Sequence, residues 1–411
     1  VNNSIKNIAV IGGGAAGFFS AIHAAEKYAD AEVSIFEKQK KLLSKVRISG
    51  GGRCNVTNAA GTIAELLTAY PRGGRFLKKA FHRFSNRDAM AWFRARGVPL
   101  TVQEDRHVFP ESQNSGSIID CFLGEAEKYG IKIHTGAGIC RLTGVETKWL
   151  LEWTGEHGGK AVFDRVIVAC GGMQSEGAFG WLKDLGQPMI PVRPSLFTFN
   201  IEDAELTALS GTTVERVQIG FRVGSRTFSE EGILLITHWG ISGPAVLKLS
   251  AFGARELADA GYRVSVQLNW TGQAQDEIRR TLADMKESFH LKQMSNTAYP
   301  GLSLRLWHYL LKKSGIEAER RWAELSRRDG NRLLETLTAQ RVQMTGKSTF
   351  KEEFVSSGGI DLKGVDALTM QSRIHKGLYF AGEILDIDGI TGGYNFQAAW
   401  TTGYIAGQLE D

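Results

Sequence analysis

The sequence predicts an α/β fold in which both chain ends build one parallel-sheet domain and the middle of the chain is inserted between them. Three observations predict it. An apolar segment, IKNIAVI, runs into the glycine cluster GGGAAG and then into a helical pattern; a buried strand followed by glycines recurs at DRVIVACGG; and the same theme closes the chain at GLYFAGEILDIDGITGGYNFQAAW. Uniformly apolar strands of this kind belong to sheets covered on both faces. Between the second and third occurrences the chain changes to short alternating segments and then to helical ones, the pattern of an insertion.

In order, the start reads as a strand from Ile5 to Ile11, a glycine turn, a helix from Ala15 to Tyr28, and a strand from Val33 to Phe36 closing on Glu37. This is a βαβ beginning. Residues 62–97 carry a helical pattern. RHVFPESQNSG reads as an irregular loop leading into a helix, in which Arg106 and His107 either line a site or belong to a capping loop. IKIHTGAGICRLTGV and KWLLEWT are strand-like. The expected division is a discontinuous domain of residues 1–187 and 345–411, an inserted β-rich domain of residues 188–270, and a helical subdomain of residues 271–344.

A length of 411 residues is enough for two or three domains with sizeable cores. The chain is 43% hydrophobic and 23% charged and has no uninterrupted apolar run of membrane-spanning length, so no membrane partner is expected. Its first apolar segment leads straight into a glycine turn and reads as a buried strand, not a leader. Cys54, Cys121, Cys140 and Cys170 fit neither a zinc pattern nor a disulfide framework, which excludes an evident metal site and points to a reducing cytoplasm. The net charge of +5 arises from 49 basic residues among 44 acidic ones. Such a mixed surface argues against a nucleic-acid partner, although basic clusters at Lys312-Lys313, Arg320-Arg321 and Arg327-Arg328 keep one open.

Gly12, Gly14 and Gly17, with Ala15 and Ala16 between them, fit G-x-G-x-x-G after a strand and before a helix, and Glu37 follows at the end of the next strand. Gly12 would allow the turn, Gly14 would let a pyrophosphate approach, and Gly17 would let the helix lie close to the sheet. The helix N-terminus offers free N–H groups to phosphates, and Glu37 would accept from ribose hydroxyls and repel a 2′-phosphate. FAD and NAD both fit. A separate glycine-rich strand–loop–helix at the C-terminus favours FAD, whose flavin ring must be held far from its adenosine.

At SGGGRCNVTN, THWGISGPAVLKLS and AGEILDIDGITGGYNFQAAWTTGYIAG, the chain resembles, over essentially its whole length, a bacterial family of flavoproteins described as aminoacetone-oxidase-like or BaiN-like NAD(P)/FAD-dependent oxidoreductases. The resemblance implies a glutathione-reductase-type FAD-binding Rossmann domain formed by both chain ends, with an inserted β-barrel-like domain and a helical subdomain. It implies FAD contacts from the first turn, Glu37 and Lys38, from Lys45, and from Ser49, Gly50, Gly51, Gly52, Arg53, Cys54 and Asn55. It further implies contacts from Ile139, from Cys170, Gly171 and Gly172, from Gly382 and Glu383, and from Gly392, Gly393, Tyr394 and Asn395.

Three roles compete for SGGGRCNVTN. Cys54 is a redox or nucleophilic thiol; or the glycines let backbone reach the cofactor while Arg53 and Asn55 fix its oxygens; or the stretch is a structural turn. Thr237 and His238 either meet substrate or are structural. The expected activity is FAD-dependent redox chemistry on a small organic substrate, with NAD(P)H as a transient electron donor because a second nicotinamide motif is missing. Amine oxidation and reduction of a carbon–carbon double bond both fit. A GidA-like RNA-associated flavoprotein and a flavin carrier without turnover are the alternatives, and the chain is expected to be a monomer or homodimer.

Overall fold

The structure is a computed structural model, described over residues 5–156, 158–172, 179–348 and 355–410. It divides into two compact units, Val1–Ser195 with Phe350–Asp411, and Leu196–Thr349. The first unit opens with β1 (Asn7–Ile11), α1 (Ala15–Lys27), β2 (Glu32–Glu37), α2 (Ser44–Gly52) and β3 (Thr57–Asn58). It continues through α3 (Ile63–Leu67), α4 (Gly74–Phe81), α5 (Asn86–Ala95), β4 (Leu100–Val102), β5 (His107–Pro110) and α6 (Gly116–Lys128). Then come β6 (Lys132–Thr135), β7 (Gly138–Val145), β8 (Lys148–Thr154), β9 (Gly159–Phe163), β10 (Arg165–Val168), α7 (Gly180–Asp184) and β11 (Met189–Ser195).

The second unit holds β12 (Thr198–Ile201), α8 (Ala204–Thr207), β13 (Thr213–Val223), β14 (Arg226–Thr237), β15 (Gly240–Ser242), α9 (Pro244–Phe252), α10 (Ala254–Asp259) and β16 (Val264–Asn269). It ends with α11 (Gln275–Ser288), α12 (Leu304–Lys313), α13 (Arg327–Ala339) and β17 (Gln340–Ser348). The chain then returns to the first unit as β18 (Val355–Ile360), β19 (Leu378–Phe380) and α14 (Tyr394–Gly407).

The main sheet of the first unit is parallel, in the order β19-β10-β1-β2-β6. Ile8, Ala9 and Val10 of the central strand are fully buried, which is why that segment is apolar at every position and not at alternate ones. The C-terminal segment joins this sheet as expected, with Leu378 opposite Val166. Its helix lies close on α1 because a side-chain carbon on Gly403 or Gly407 would fall 2.9 Å from the Ala16 oxygen or 2.7 Å from the Ser20 oxygen. Both chain ends therefore form one Rossmann-type domain.

The second unit is a closed six-stranded barrel, β12-β15-β14-β13-β16-β17, with helices around it. Inward residues alternate along its strands, as Val217, Ile219 and Phe221 do on β13, and Trp270, Trp307 and Trp322 are fully buried among the helices.

Three local expectations change. The loop expected at RHVFP forms β5, which pairs with β3 and β4 in a small antiparallel sheet. Residues 340–344, expected to end the helical subdomain, and 345–348, expected to open the returning domain, together form the barrel strand β17, paired with β12 and β16. The proline-bearing stretch expected to open the insertion includes β11, which pairs antiparallel with β18 inside the first unit. Pro191 falls where the register breaks between Ile190 and Arg193, and Pro194 stands opposite Ser356 in a two-stranded sheet, where each strand is an edge.

Candidate functional site

The first glycine turn has a backbone geometry that accounts for its three glycines in different ways. Gly12 has φ +113°, and a side-chain carbon there would lie 2.4 Å from the Ala169 oxygen at the end of β10. At Gly17 the same carbon would lie 1.8 Å from the Gly12 oxygen, so only glycine lets α1 start this close to the turn. Gly14 is different: nothing stands within 4 Å of where its side chain would project. The open space lies at the N-terminus of α1, which no side chain caps, so the N–H groups of its first turn remain available. Glu37 supports the turn, one carboxylate oxygen accepting from Gly13 N at 2.8 Å and the other from Gln39 N at 2.8 Å. An uncapped helix start behind an open glycine, with a carboxylate at the next strand end, fits the pyrophosphate and ribose of a dinucleotide.

Three other expected segments converge here. A side-chain carbon on Gly382 would lie 2.7 Å from the Ala16 side chain, which places the β19 turn against the start of α1. On Gly172 it would strike the Ser356 hydroxyl at 2.1 Å and the Glu383 carboxylate at 2.5 Å. Glu383 accepts from Ser356 N at 3.0 Å and pairs with Lys45 at 2.6 Å. Lys45, Gly172, Gly382 and Glu383 thus meet, although 338 residues separate the ion pair's partners. Gly171 is open and has φ +76°. Lys38 lies over the Phe179 ring, 6.0 Å from its centroid. Ile139 sits on β7, the outer strand of a separate three-stranded sheet, beside Gly138, which faces Lys38.

The opening of SGGGRCNVTN leaves helical geometry at Ser49, and Gly50, Gly51 and Gly52 all have positive φ. Gly51 and Gly52 face open space, while Gly50 lies against Phe109 of β5. The polar residues of this stretch do not behave as expected. Arg53 donates to the Gly50 oxygen at 3.0 Å and lies over Phe109, its guanidinium carbon 4.2 Å from the centroid. The Asn55 amide, oriented to satisfy its neighbours, donates to the Thr57 oxygen at 2.9 Å and the Val108 oxygen at 3.3 Å. Both side chains brace the loop instead of reaching out of it. Cys54 is fully buried, and burial pushes its thiol up to about 12, against a thiolate at neutral pH. Burial of the thiol speaks against a nucleophilic Cys54, and the Arg53 and Asn55 side chains are engaged within their own loop and on β5.

At the other end, Gly393 (φ +86°) caps the start of α14 without a side-chain cap, leaving the N–H groups of Tyr394 and its neighbours available. The Asn395 side chain is engaged elsewhere: it accepts from Gly389 N at 2.8 Å and donates to the Gly389 oxygen at 2.9 Å, closing the loop before the helix. Only its backbone can serve a ligand. Gly393 lies against Thr57, and Gly392 against His107 and Tyr394.

Sequence reasoning missed the buried pair that fixes this loop. Asp388, wholly inaccessible, takes both oxygens to Arg72 and accepts from the Ser195 hydroxyl at 2.8 Å. Proximity to glycines GITGG was the only signal in the sequence. Thr237 and His238 belong to the barrel unit, at the end of β14; the Thr237 hydroxyl is buried with no hydrogen-bond partner among the described residues, and His238 is exposed. Among the described residues no helix is long and apolar enough to cross a membrane, and no group of metal-binding side chains occurs.

Comparison with known proteins places this arrangement. Residues 6–409 match the model of the HI0933-like protein Rossmann domain. A ribosomal RNA dihydrouridine synthase of Haemophilus influenzae is 30% identical over 404 residues, covering 96% of each chain. A 3-dehydro-bile acid delta(4,6)-reductase of Clostridium scindens is 27% identical over 415 residues, covering 98% of each. Among solved structures, a quinol-fumarate reductase with menaquinol superposes with a TM-score of 0.51 at 12% identity, covering 98% of this chain and 70% of that one, a likeness of fold alone. With a Rossmann turn at one end, its completing strand and helix at the other, and a family match across nearly the whole length, the chain belongs to the HI0933-like family of Rossmann-domain proteins.

Proposed function

We propose that the protein is an FAD-dependent oxidoreductase that saturates a carbon–carbon double bond conjugated to a carbonyl, with a uracil base of ribosomal RNA as substrate and a reduced nicotinamide as electron donor. The observation that carries the cofactor is the open cradle at Gly14, facing an uncapped helix start with Glu37 beside it. Gly12 to Gly17 would hold the pyrophosphate and Glu37 the ribose. Lys45, Gly172, Gly382 and Glu383 would hold the middle of the cofactor, and the free N–H groups at the start of α14 would meet the pyrimidine edge of the ring. Partial positive charge at that helix start favours the reduced, anionic ring and so raises its potential. Bound there, FAD supplies two-electron hydride chemistry.

The reaction class is supported by what two relatives share. Making dihydrouridine saturates the uracil C5=C6 bond, which is conjugated to the C4 carbonyl; a delta(4,6)-reductase of a 3-dehydro acid saturates bonds conjugated to the C3 ketone. Both names describe reductions, which favours the reductase side over amine oxidation. The choice of RNA rests on the higher identity to the synthase over a similar share of the chain. Lys312, Lys313 and Arg320 are paired with Glu205, Asp203 and Asp329, so any phosphate contact would fall on other cations. The test is nucleoside mass spectrometry of ribosomal RNA from cells with and without the gene. Loss of one dihydrouridine, restored by the gene, supports the reading; an unchanged dihydrouridine content refutes the RNA substrate and turns attention to steroid enones.

A further inference from the structure

We propose that His107 is the proton donor of this site, oriented by Asp105 and aimed at the glycine corner that opens α14. The inference rests on the function proposed above and names a residue for it. His107 begins β5, opposite Asn58 of β3. Its Nδ1 lies 3.1 Å from the Asp105 carboxylate, which also accepts from the His107 backbone N–H at 3.1 Å. One carboxylate thus fixes both the backbone and the ring, and leaves Nε2 as the working atom. Nothing among the described residues bonds to Nε2. It points at Gly392, where a side-chain carbon would sit 2.7 Å from it, and Gly392 has φ +116°, a conformation suited to glycine.

Charged and aromatic groups surround the ring. Asp105 faces it directly, and the second nearby acid, Glu65 of α3, is paired with Arg106. Arg53 is held on Phe109, whose ring centroid is 6.4 Å from that of His107. The Tyr394 ring lies 3.0 Å from that same side-chain position on Gly392, and burial, followed by the charge of Glu65, raises its phenol above the ordinary value. The Tyr70 hydroxyl is already donating to the Tyr394 oxygen at 2.7 Å. Cys54 is buried. The His107 side chain is 31% exposed, so water can return a proton to it.

Saturating the conjugated bond takes two electrons and two hydrogens. The reduced nicotinamide provides the electron pair and leaves oxidised, and one hydrogen reaches the β carbon as hydride. The other reaches the α carbon as a proton: the His107 Nε2–H bond breaks, the C–H bond forms, and neutral imidazole recovers a proton from water. Because the ring gives up this proton, the rate of the step follows the protonated fraction of His107.

The test compares wild-type protein with His107→Asn, both loaded with FAD. First, the visible band is titrated across the histidine range, about pH 5 to 8. A one-proton shift in the wild type that is missing from the variant is expected; identical titrations overturn the proposal. Second, the reduced proteins are mixed anaerobically with an in vitro transcript of ribosomal RNA. Reoxidation is expected to slow by about 100-fold or more and lose its pH dependence, while reduction by the nicotinamide stays within about twofold. Equal slowing of both halves, or unchanged reoxidation, overturns it. Wild-type protein that binds no FAD defeats the function itself; one that binds FAD but ignores the transcript defeats only the RNA substrate, and the spectral titration then decides.

Discussion

Two substitutions in one turn separate folding from cofactor binding. Gly17→Ala places a methyl carbon 1.8 Å from the Gly12 oxygen, where backbone on both sides prevents easy relief. A 1.8 Å contact with backbone puts the overpacking cost at the upper end of the usual range, ~3 kcal/mol, and the ~1 kcal/mol that alanine gains over glycine within a helix still leaves a net loss of ~2 kcal/mol. Gly14→Ala meets nothing within 4 Å, and its backbone at φ −97° is open to any residue. There the weaker N-cap and the smaller unfolded-state entropy oppose each other, leaving stability within ~1 kcal/mol of wild type. The methyl occupies the cradle proposed for the pyrophosphate, so FAD affinity should fall tenfold or more, at least ~1.4 kcal/mol. Urea unfolding of the cofactor-free proteins and FAD titration followed by flavin fluorescence give both quantities. Gly14→Ala binding FAD as tightly as wild type would refute the placement of the pyrophosphate, and Gly17→Ala unfolding at the wild-type midpoint would refute the close-approach argument.

Other outcomes follow from single contacts. Arg72→Ala strands a wholly buried Asp388 and should destabilise the first unit by ~3–5 kcal/mol in denaturant unfolding, whereas Arg72→Lys should recover part of the loss. Cys54→Ala should reduce and reoxidise at nearly the wild-type rate, and native protein should leave this thiol unalkylated at pH 8, because burial holds it near 12. Glu26 is held down at about 2, first by its hydrogen bond with His23. Its stabilisation is present above the ordinary value of 4.5 and is lost as pH falls toward 2, so Glu26→Gln should flatten the acid limb of the urea midpoint between those values.

What the sequence revealed, and what it hid, follows from the range of the interactions. The close approach at Gly17 is set by a contact within the first βαβ unit, so spacing was enough to read it, whereas the crowding at Gly12 comes from Ala169, which spacing does not show. β17 was hidden because it closes a barrel against β12, which begins some 140 residues earlier, and the elements before it in sequence are helices. The ends of β11 and β18 meet across the whole insertion, so the proline-bearing stretch looked like a boundary while still pairing within the first unit. Arg53 and Asn55 stood where a ligand contact was expected, but polar side chains beside a glycine loop can also brace the loop itself, and here they do. Arg72 with Asp388, and His107 with Gly392, could not be paired from local signals, since each pair joins segments more than 280 residues apart.

The central claim is that these glycine turns hold a redox-active flavin. It is tested most directly by the visible absorption spectrum of the purified, FAD-reconstituted protein under anaerobic conditions, before and after adding NADH and then NADPH. Flavin bands that appear and bleach with one of the two nicotinamides are the predicted result; a protein that shows no flavin bands after reconstitution would contradict it.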